Sequence, residues 1–222
     1  MNRPRQLGFT LWELLVTVLV AGVLLGIGVP NVMEFQRNGA MTAAANDVIT
    51  GLLMARTEAV KRQAPVAWCL SDDPLAPAPV CAPGPVMNST RGFVVWVDEN
   101  GNLDADGRRI LTDATDGNAV FDAGEIVLTR GVAPGGTVRV STNCGHVSFA
   151  PTGFTRQAPG QCFPNERTVL FCDDRGRRMA AGSLSSARIV LINRQGRAQA
   201  LSETVAIDTW AAGLIAAGAT CP

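Results

Sequence analysis

The chain is poor in the residues that do chemistry. It has one histidine, His146, and one lysine, Lys61, and its six cysteines form neither a Cys-x-x-Cys pair nor a Cys/His zinc spacing. A single histidine with no nucleophile pattern beside it is not a hydrolase centre. Cysteines without zinc spacing give no reason to expect a bound metal. An excess of charge is also missing, since 19 Lys and Arg balance 19 Asp and Glu. Arg3 and Arg5 stand at the head of the chain, so the remainder is slightly acidic, which argues against bulk polyanion binding and leaves room only for a local basic patch. Nothing calls for catalysis or for a cofactor. Leu14 to Val29, finally, carry no charge at all.

That uncharged stretch organises the rest. The basic head ends at Gly8, and an apolar run then extends from Phe9 to Val29 with one interruption, Glu13. Phe9 to Pro30 is long enough to cross a bilayer as one helix. A cleaved secretory signal would be cut after the run, yet helical character continues from Asn31 to Arg62, so such a cut would remove the start of a helix. A plain anchor explains the length and, by the positive-inside rule, the two arginines. It does not explain Glu13, because a carboxylate in an apolar span costs roughly 2.5 to 3.5 kcal/mol and by default has a function and a partner. If the chain were cut between Gly8 and Phe9, the new amino group would lie one helical turn from Glu13, or reach it from a neighbouring subunit.

The phrase Gly8-Phe9-Thr10-Leu11-Trp12-Glu13-Leu14-Leu15-Val16 resembles the class III leader and N-terminus of type IV pilins and type II secretion pseudopilins. The resemblance implies that a prepilin peptidase cuts after Gly8 and methylates Phe9, that Glu13 guides docking into the fibre, and that Pro30 falls where pilin helices carry a proline. The expected partition is residues 1–8 as leader, 9–30 as the transmembrane part of the helix, 31–63 as its amphipathic part, and 64–222 as a periplasmic β-rich domain.

Beyond Pro30, Val32, Phe35, Met41, Ala44, Ala45, Val48, Ile49, Leu52, Leu53, Ala59 and Val60 follow three-and-four spacing and predict an amphipathic helix to about Arg62. Its stripe needs a sheet to lie on. Pro65 ends it. Val66 to Leu70 reads as a strand, the proline-rich residues 71–91 as a loop or surface insertion, and Gly92–Val97, Glu125–Thr129, Thr137–Ser141, His146–Ala150, Thr168–Phe171 and Ala187–Ile192 as further strands. The fold class is α+β, a long helix on an antiparallel β-domain. Leu201 to Pro222 reads as an Ala-rich tail, too short and interrupted for a second span. Trp68 and Trp96 read as core. Cys69, Cys81, Cys144, Cys162, Cys172 and Cys221 are even in number in an exported chain, which favours disulfides. Sequence does not choose among the pairings. Joining 69 to 81, 144 to 162 and 172 to 221 would fasten irregular loops and the tail.

Further phrases narrow the resemblance: Ala44-Ala45-Asn46-Asp47, Ala55-Arg56-Thr57-Glu58-Ala59-Val60-Lys61-Arg62, Arg91 to Asp98, Val147 to Gly153, and Phe171-Cys172-Asp173-Asp174-Arg175-Gly176. From Gly8 to about Gln199 the chain is similar to the GspH/FimT family of minor pilins and minor pseudopilins, with its helix and Cys-Asp-Asp-Arg-Gly phrases nearer the FimT/FimU branch. This implies a subunit at the pilus tip that helps start assembly and supports twitching, adhesion or DNA uptake. The implied partners are other minor and major pilins, the prepilin peptidase and the inner membrane. A competence branch carries a Gly-Arg-x-Arg motif that contacts DNA. Here Gly196-Arg197-Ala198-Gln199 lacks the second Arg, although Arg194 stands nearby and Arg175, Arg177, Arg178 and Arg188 would join it if the strands placed them together. A solvated turn is the favoured reading over a DNA contact. Asn102-x-Asp104-x-Asp106-Gly107 with Asp113 copies part of a calcium loop, and Asp122 and Glu125 could add carboxylates. The poor register favours solvated turns and no metal.

Overall fold

Helix α1 (Leu11–Arg62) is the first element of the computed structural model, which describes residues 9–82, 84–89, 91–99, 116–132, 137–177, 179–181 and 184–221. The chain divides into two compact units, residues 1–39 and 40–222. In the first, the side chains from Phe9 to Ile27 are exposed. Among the described residues α1 is the one helix long and apolar enough to cross a membrane, with a window of mean hydropathy 2.2 and none of it buried.

In the second unit the same helix becomes one-sided. Met41, Ala44, Ala45, Val48, Leu52, Ala55 and Ala59 are buried and recur every three or four residues, one face of a 3.6-residue period. Leu53 and Val60, expected on that stripe, are 49 and 44 % exposed. The helix stops because Gln63 takes a left-handed conformation, φ 53°, and Pro65 follows. Arg62 and Lys61 in the last turn both bond to Glu58, at 2.6 and 3.3 Å.

The stripe faces two sheets rather than one. The first sheet runs β4 (Ile126–Gly131), β3 (Gly92–Val97), β1 (Val66–Ser71), β6 (His146–Phe149) and β7 (Thr155–Arg156). The second runs β11 (Ala198–Glu203), β10 (Leu184–Asn193), β8 (Glu166–Cys172), β5 (Arg139–Thr142) and β2 (Val86–Ser89), with β9 (Met179–Ala181) on β10. Every pairing is antiparallel. Alternation then assigns each side chain. Val66, Trp68 and Leu70 of β1, Phe93, Val95 and Val97 of β3, Val169 and Phe171 of β8, and Val190 and Ile192 of β10 join the α1 stripe in one core. Their neighbours face away. Ala67, Cys69, Val94 and Trp96 pack with Ala119 and Ala158. Leu170, Cys172, Ile189 and Leu191 pack under helix α2 (Thr204–Ala216) through Ile207, Ala211 and Leu214. Covering on both faces is why β1 and β3 are buried at every position and read as continuous apolar runs.

Phe93 shows how closely the layers meet. A Cβ added to Gly51 of α1 would lie 2.6 Å from the Phe93 ring, and one on Gly131, opposite Phe93 in β4, would collide with the same ring. Both glycines are there because a backbone must pass beside an aromatic face.

The structure corrects the reading of the tail. Residues from Leu201 on complete an edge strand and a helix that covers the second sheet. The proline-rich segment likewise contains β2, and Arg130 holds it down by donating to the carbonyls of Pro74 and Ala76, both at 2.6 Å. Three disulfides join successive cysteines: Cys69 to Cys81, Cys144 to Cys162 and Cys172 to Cys221. The last closes a span of 49 residues and ties the segment after α2 to β8. Cys221→Ser, compared with wild type by chemical denaturation, is expected to lower stability by about 3 to 4 kcal/mol. Trp210 emission should shift before the core unfolds, because α2 loses its C-terminal tether.

Candidate functional site: the helix start and the arginine turn

Thr10 precedes the first turn of α1 and Glu13 closes it. The Glu13 amide donates to Thr10 Oγ1 at 3.3 Å, while Glu13 Oε2 accepts from the Thr10 amide and hydroxyl, both at 3.4 Å. This is a capping box, in which the acid satisfies a backbone donor that the helix leaves orphaned. Sequence reasoning missed it, although Thr-x-x-Glu ahead of an apolar run is its signature. The box explains how a carboxylate can stand at the start of an apolar helix, and leaves its charge at the N-terminal end of the helix dipole, where anions are favoured. Phe9 is 80 % exposed. Gly8 lies outside the described residues, as do Arg3 and Arg5.

Arg194 and Arg197 belong to the turn between β10 and β11. The turn is closed by Asn193, whose carbonyl accepts from the Gly196 amide and whose Oδ1 accepts from the Arg197 amide, both at 3.0 Å. Gly196 has φ 74°, and a Cβ there would come within 2.6 Å of the Gly153 carbonyl oxygen, so no other residue fits. Arg56 of α1 donates to the Gly196 carbonyl at 3.3 Å. Arg197 lines a cleft of about 130 Å³ with Glu166, Leu191, Asn193, Gln199 and Trp210. Arg194 instead lies over the Phe163 ring, 4.9 Å from its centroid.

Of the arginines expected beside them, Arg175, Arg177 and Arg188 do not join them. Asn193 is opposite Glu166 and Arg188 opposite Phe171, so Arg175 and Arg177, which follow β8, lie at the far end of β10 from Arg194. They are also occupied: Arg175 bonds to Asp173 at 2.7 Å and Arg177 to Asp208 at 2.5 Å. Arg188 donates to the carbonyls of Ser185 and Ala187. The side chain of Arg178 lies outside the described residues. The structure instead brings in Arg167, which sequence did not single out, with its Cζ 5.0 Å from the Phe163 centroid.

The carboxylates are partly other than expected. Residues 102–113 lie outside the described ones. Glu125, read as part of a solvated turn, is only 8 % exposed. Its Oε2 accepts from the Asp122 amide at 2.8 Å, and burial, with Asp98, Asp122 and Asp116 nearby, pushes its pKa up to about 8. Asp98 is fully buried and accepts from the Ala119 amide at 2.9 Å. Burial raises it to about 7. His146 is buried with Nδ1 3.5 and 3.6 Å from the sulfurs of Cys144 and Cys162. Those three residues have metal-ligand chemistry within 4.8 Å, but the sulfurs are joined to each other and a disulfide is not a thiolate ligand.

The family model described as Type II transport protein GspH matches residues 44–201. The chain belongs to this family. Its match starts on the buried stripe of α1 and ends in β11, so it takes in both sheets and the arginine turn and leaves α2 outside. Two solved structures are similar to this GspH-family chain, both crystal structures of the type IV minor pilin FimU from Pseudomonas aeruginosa (strain PAO1). One, in space group P21, is 18 % identical over 77 % of this chain and 94 % of that chain, with a TM-score of 0.44. The other, in space group P65, is 18 % identical over 72 and 91 %, with a TM-score of 0.41. No curated protein sequence matches the chain.

Proposed function

We propose that this chain is a minor pilin of the type IV pilus, held in the inner membrane by residues 9–30 after a prepilin peptidase removes residues 1–8, and carried into the tip or priming complex with other minor and major pilins. Residues 31–63 would then form the amphipathic part of the helix, and residues 64–222 the periplasmic domain. The observation that carries the reading is an exposed, apolar helix start whose single charged residue is Glu13, joined to a GspH-family domain. The helix and Cys-Asp-Asp-Arg-Gly phrases favour the pilus. Against them, the description of the family model favours a second reading, a minor pseudopilin of the type II secretion system. Both need the same processing and the same acid. Twitching and DNA uptake follow only from the first. A DNA-binding role is the weaker part of the proposal, because Arg175, Arg177 and Arg188 do not join Arg194 and Arg197.

Three measurements test this. The N-terminus of the protein recovered from envelopes should be methylated Phe9, and a protein still beginning at Met1 ends the proposal. Glu13→Gln keeps the capping box, since glutamine also serves there, but removes the charge. It should cut incorporation into filaments on the order of tenfold, the factor for about 1.4 kcal/mol of lost pairing. Wild-type incorporation of that variant would reduce Glu13 to a helix cap. Co-purified subunits then separate pilus from secretion machinery.

A further inference from the structure

Beneath the arginine turn is a buried positive charge with nothing to balance it. Arg167, on β8, is 1 % exposed. Its Nε donates to the His146 carbonyl at 3.1 Å, and its Nη1 and Nη2 are buried with no hydrogen-bond partner. Arg194 lies against the same Phe163 ring. Neither arginine takes part in an ion pair among the described residues. Glu166 is adjacent in sequence, but alternation along β8 sends it to the cleft beside Trp210. His146 adds a third unpartnered atom, its buried Nε2. A buried guanidinium with no anion beside it and two of its three nitrogens unpaired is costly to keep in a fold.

We propose that Arg167 and Arg194, against the ring of Phe163, form a phosphate-binding site. A guanidinium presents a planar fork that takes two oxygens of one anion. Two such groups against one ring match the tetrahedral oxygens of a phosphate group, which can be gripped from two directions, better than a planar carboxylate. Phe163 is half-buried and Arg194 exposed, so Arg194 swings off the ring to admit the anion and closes over it, while Arg167 supplies the fixed floor. The electrostatics agree: burial and the Arg194 charge hold Arg167 down to about 10, and burial with the Arg167 charge holds His146 down to about 4. Negative charge between the guanidiniums relieves both. The site does not depend on the assembly role proposed above.

The only histidine of the chain sits beside this site, so its ring signals are a single reporter in an NMR spectrum of the detergent-solubilised full chain. Inorganic phosphate and dimethyl phosphate are titrated separately against chloride at matched ionic strength. The expected result is a saturable shift of the His146 ring resonances, with the His146 pKa rising. Binding should be about tenfold or more weaker in Arg194→Gln, which loses one charge-assisted fork, and unchanged in Arg175→Gln, whose arginine is already paired with Asp173. Saturation by dimethyl phosphate as well as phosphate assigns the site to esterified phosphate groups, and saturation by phosphate alone to the free anion. The proposal is overturned if neither saturates, if chloride reproduces the shift, or if Arg194→Gln binds as wild type does. Because Arg194 is exposed, that variant folds even where Arg167→Gln does not.

Discussion

Trp68→Ala is expected to destabilise the second unit by about 3 to 5 kcal/mol, the range for emptying a large aromatic site in a core. Trp68 is fully buried in β1, stacks on Phe93 with ring centroids 5.7 Å apart, and shares one cluster with the α1 stripe and the inner faces of both sheets. Removing the indole therefore opens a void where three layers meet, and the layers cannot close on it independently. Trp68→Phe should cost much less. The indole Nε1 is buried without a partner, and losing an unsatisfied donor returns about 1 to 3 kcal/mol against the smaller ring. Denaturant midpoints of the two variants, with an unchanged slope, give the comparison. If both variants lose the same amount, the phenyl ring fills none of the void and the packing argument for this site fails.

The parts of the fold that sequence revealed were those with a local period. The stripe from Met41 to Ala59 repeats at helical spacing, and β1 and β3 are apolar runs of strand length between turn residues. Two sheets could not be read from these runs, because burial on both faces erases the alternation that would say which side faces what. Helix α2 was hidden for another reason. Glu203 makes no side-chain cap, and its buried face is only Ile207, Ala211 and Leu214 within an alanine-rich stretch. At the candidate site the contrast is sharper. Glu13 stood out because a charge in an apolar run is a local anomaly, and its partner Thr10 is three residues away. Arg167 and Arg194 come together through the pairing of β8 with β10, with Phe163 just ahead of β8 beside the Cys144–Cys162 disulfide, and no spacing in the chain announces that.

Asp98 and Glu125 give the second large effect, a stability that rises on acidification. Both carboxyls have folded pKa values raised to about 7 and about 8, against ordinary values of 3.8 and 4.5. Between those limits the folded state binds more protons than the unfolded one, so stability falls as pH rises through the window. His146 works the other way, with a folded value near 4 against 6.5: below pH 6.5 the unfolded chain takes up a proton that the buried imidazole does not. From pH 8 to 6.5 only the carboxyls act, and stability should climb as pH falls. From 6.5 to 4.5 two carboxyls oppose one histidine, and the climb continues less steeply. The whole change is on the order of a few kcal/mol. Asp98→Asn keeps an acceptor for the Ala119 amide and removes one carboxyl, so the lower window should become nearly flat while the variant gains stability at pH 8. Denaturant unfolding of the detergent-solubilised full chain at pH 8, 6.5 and 4.5 reads all three points. A wild-type protein most stable at pH 8 would overturn this reading, because Asp98 and Glu125 would then be ionised in the folded chain without cost to it.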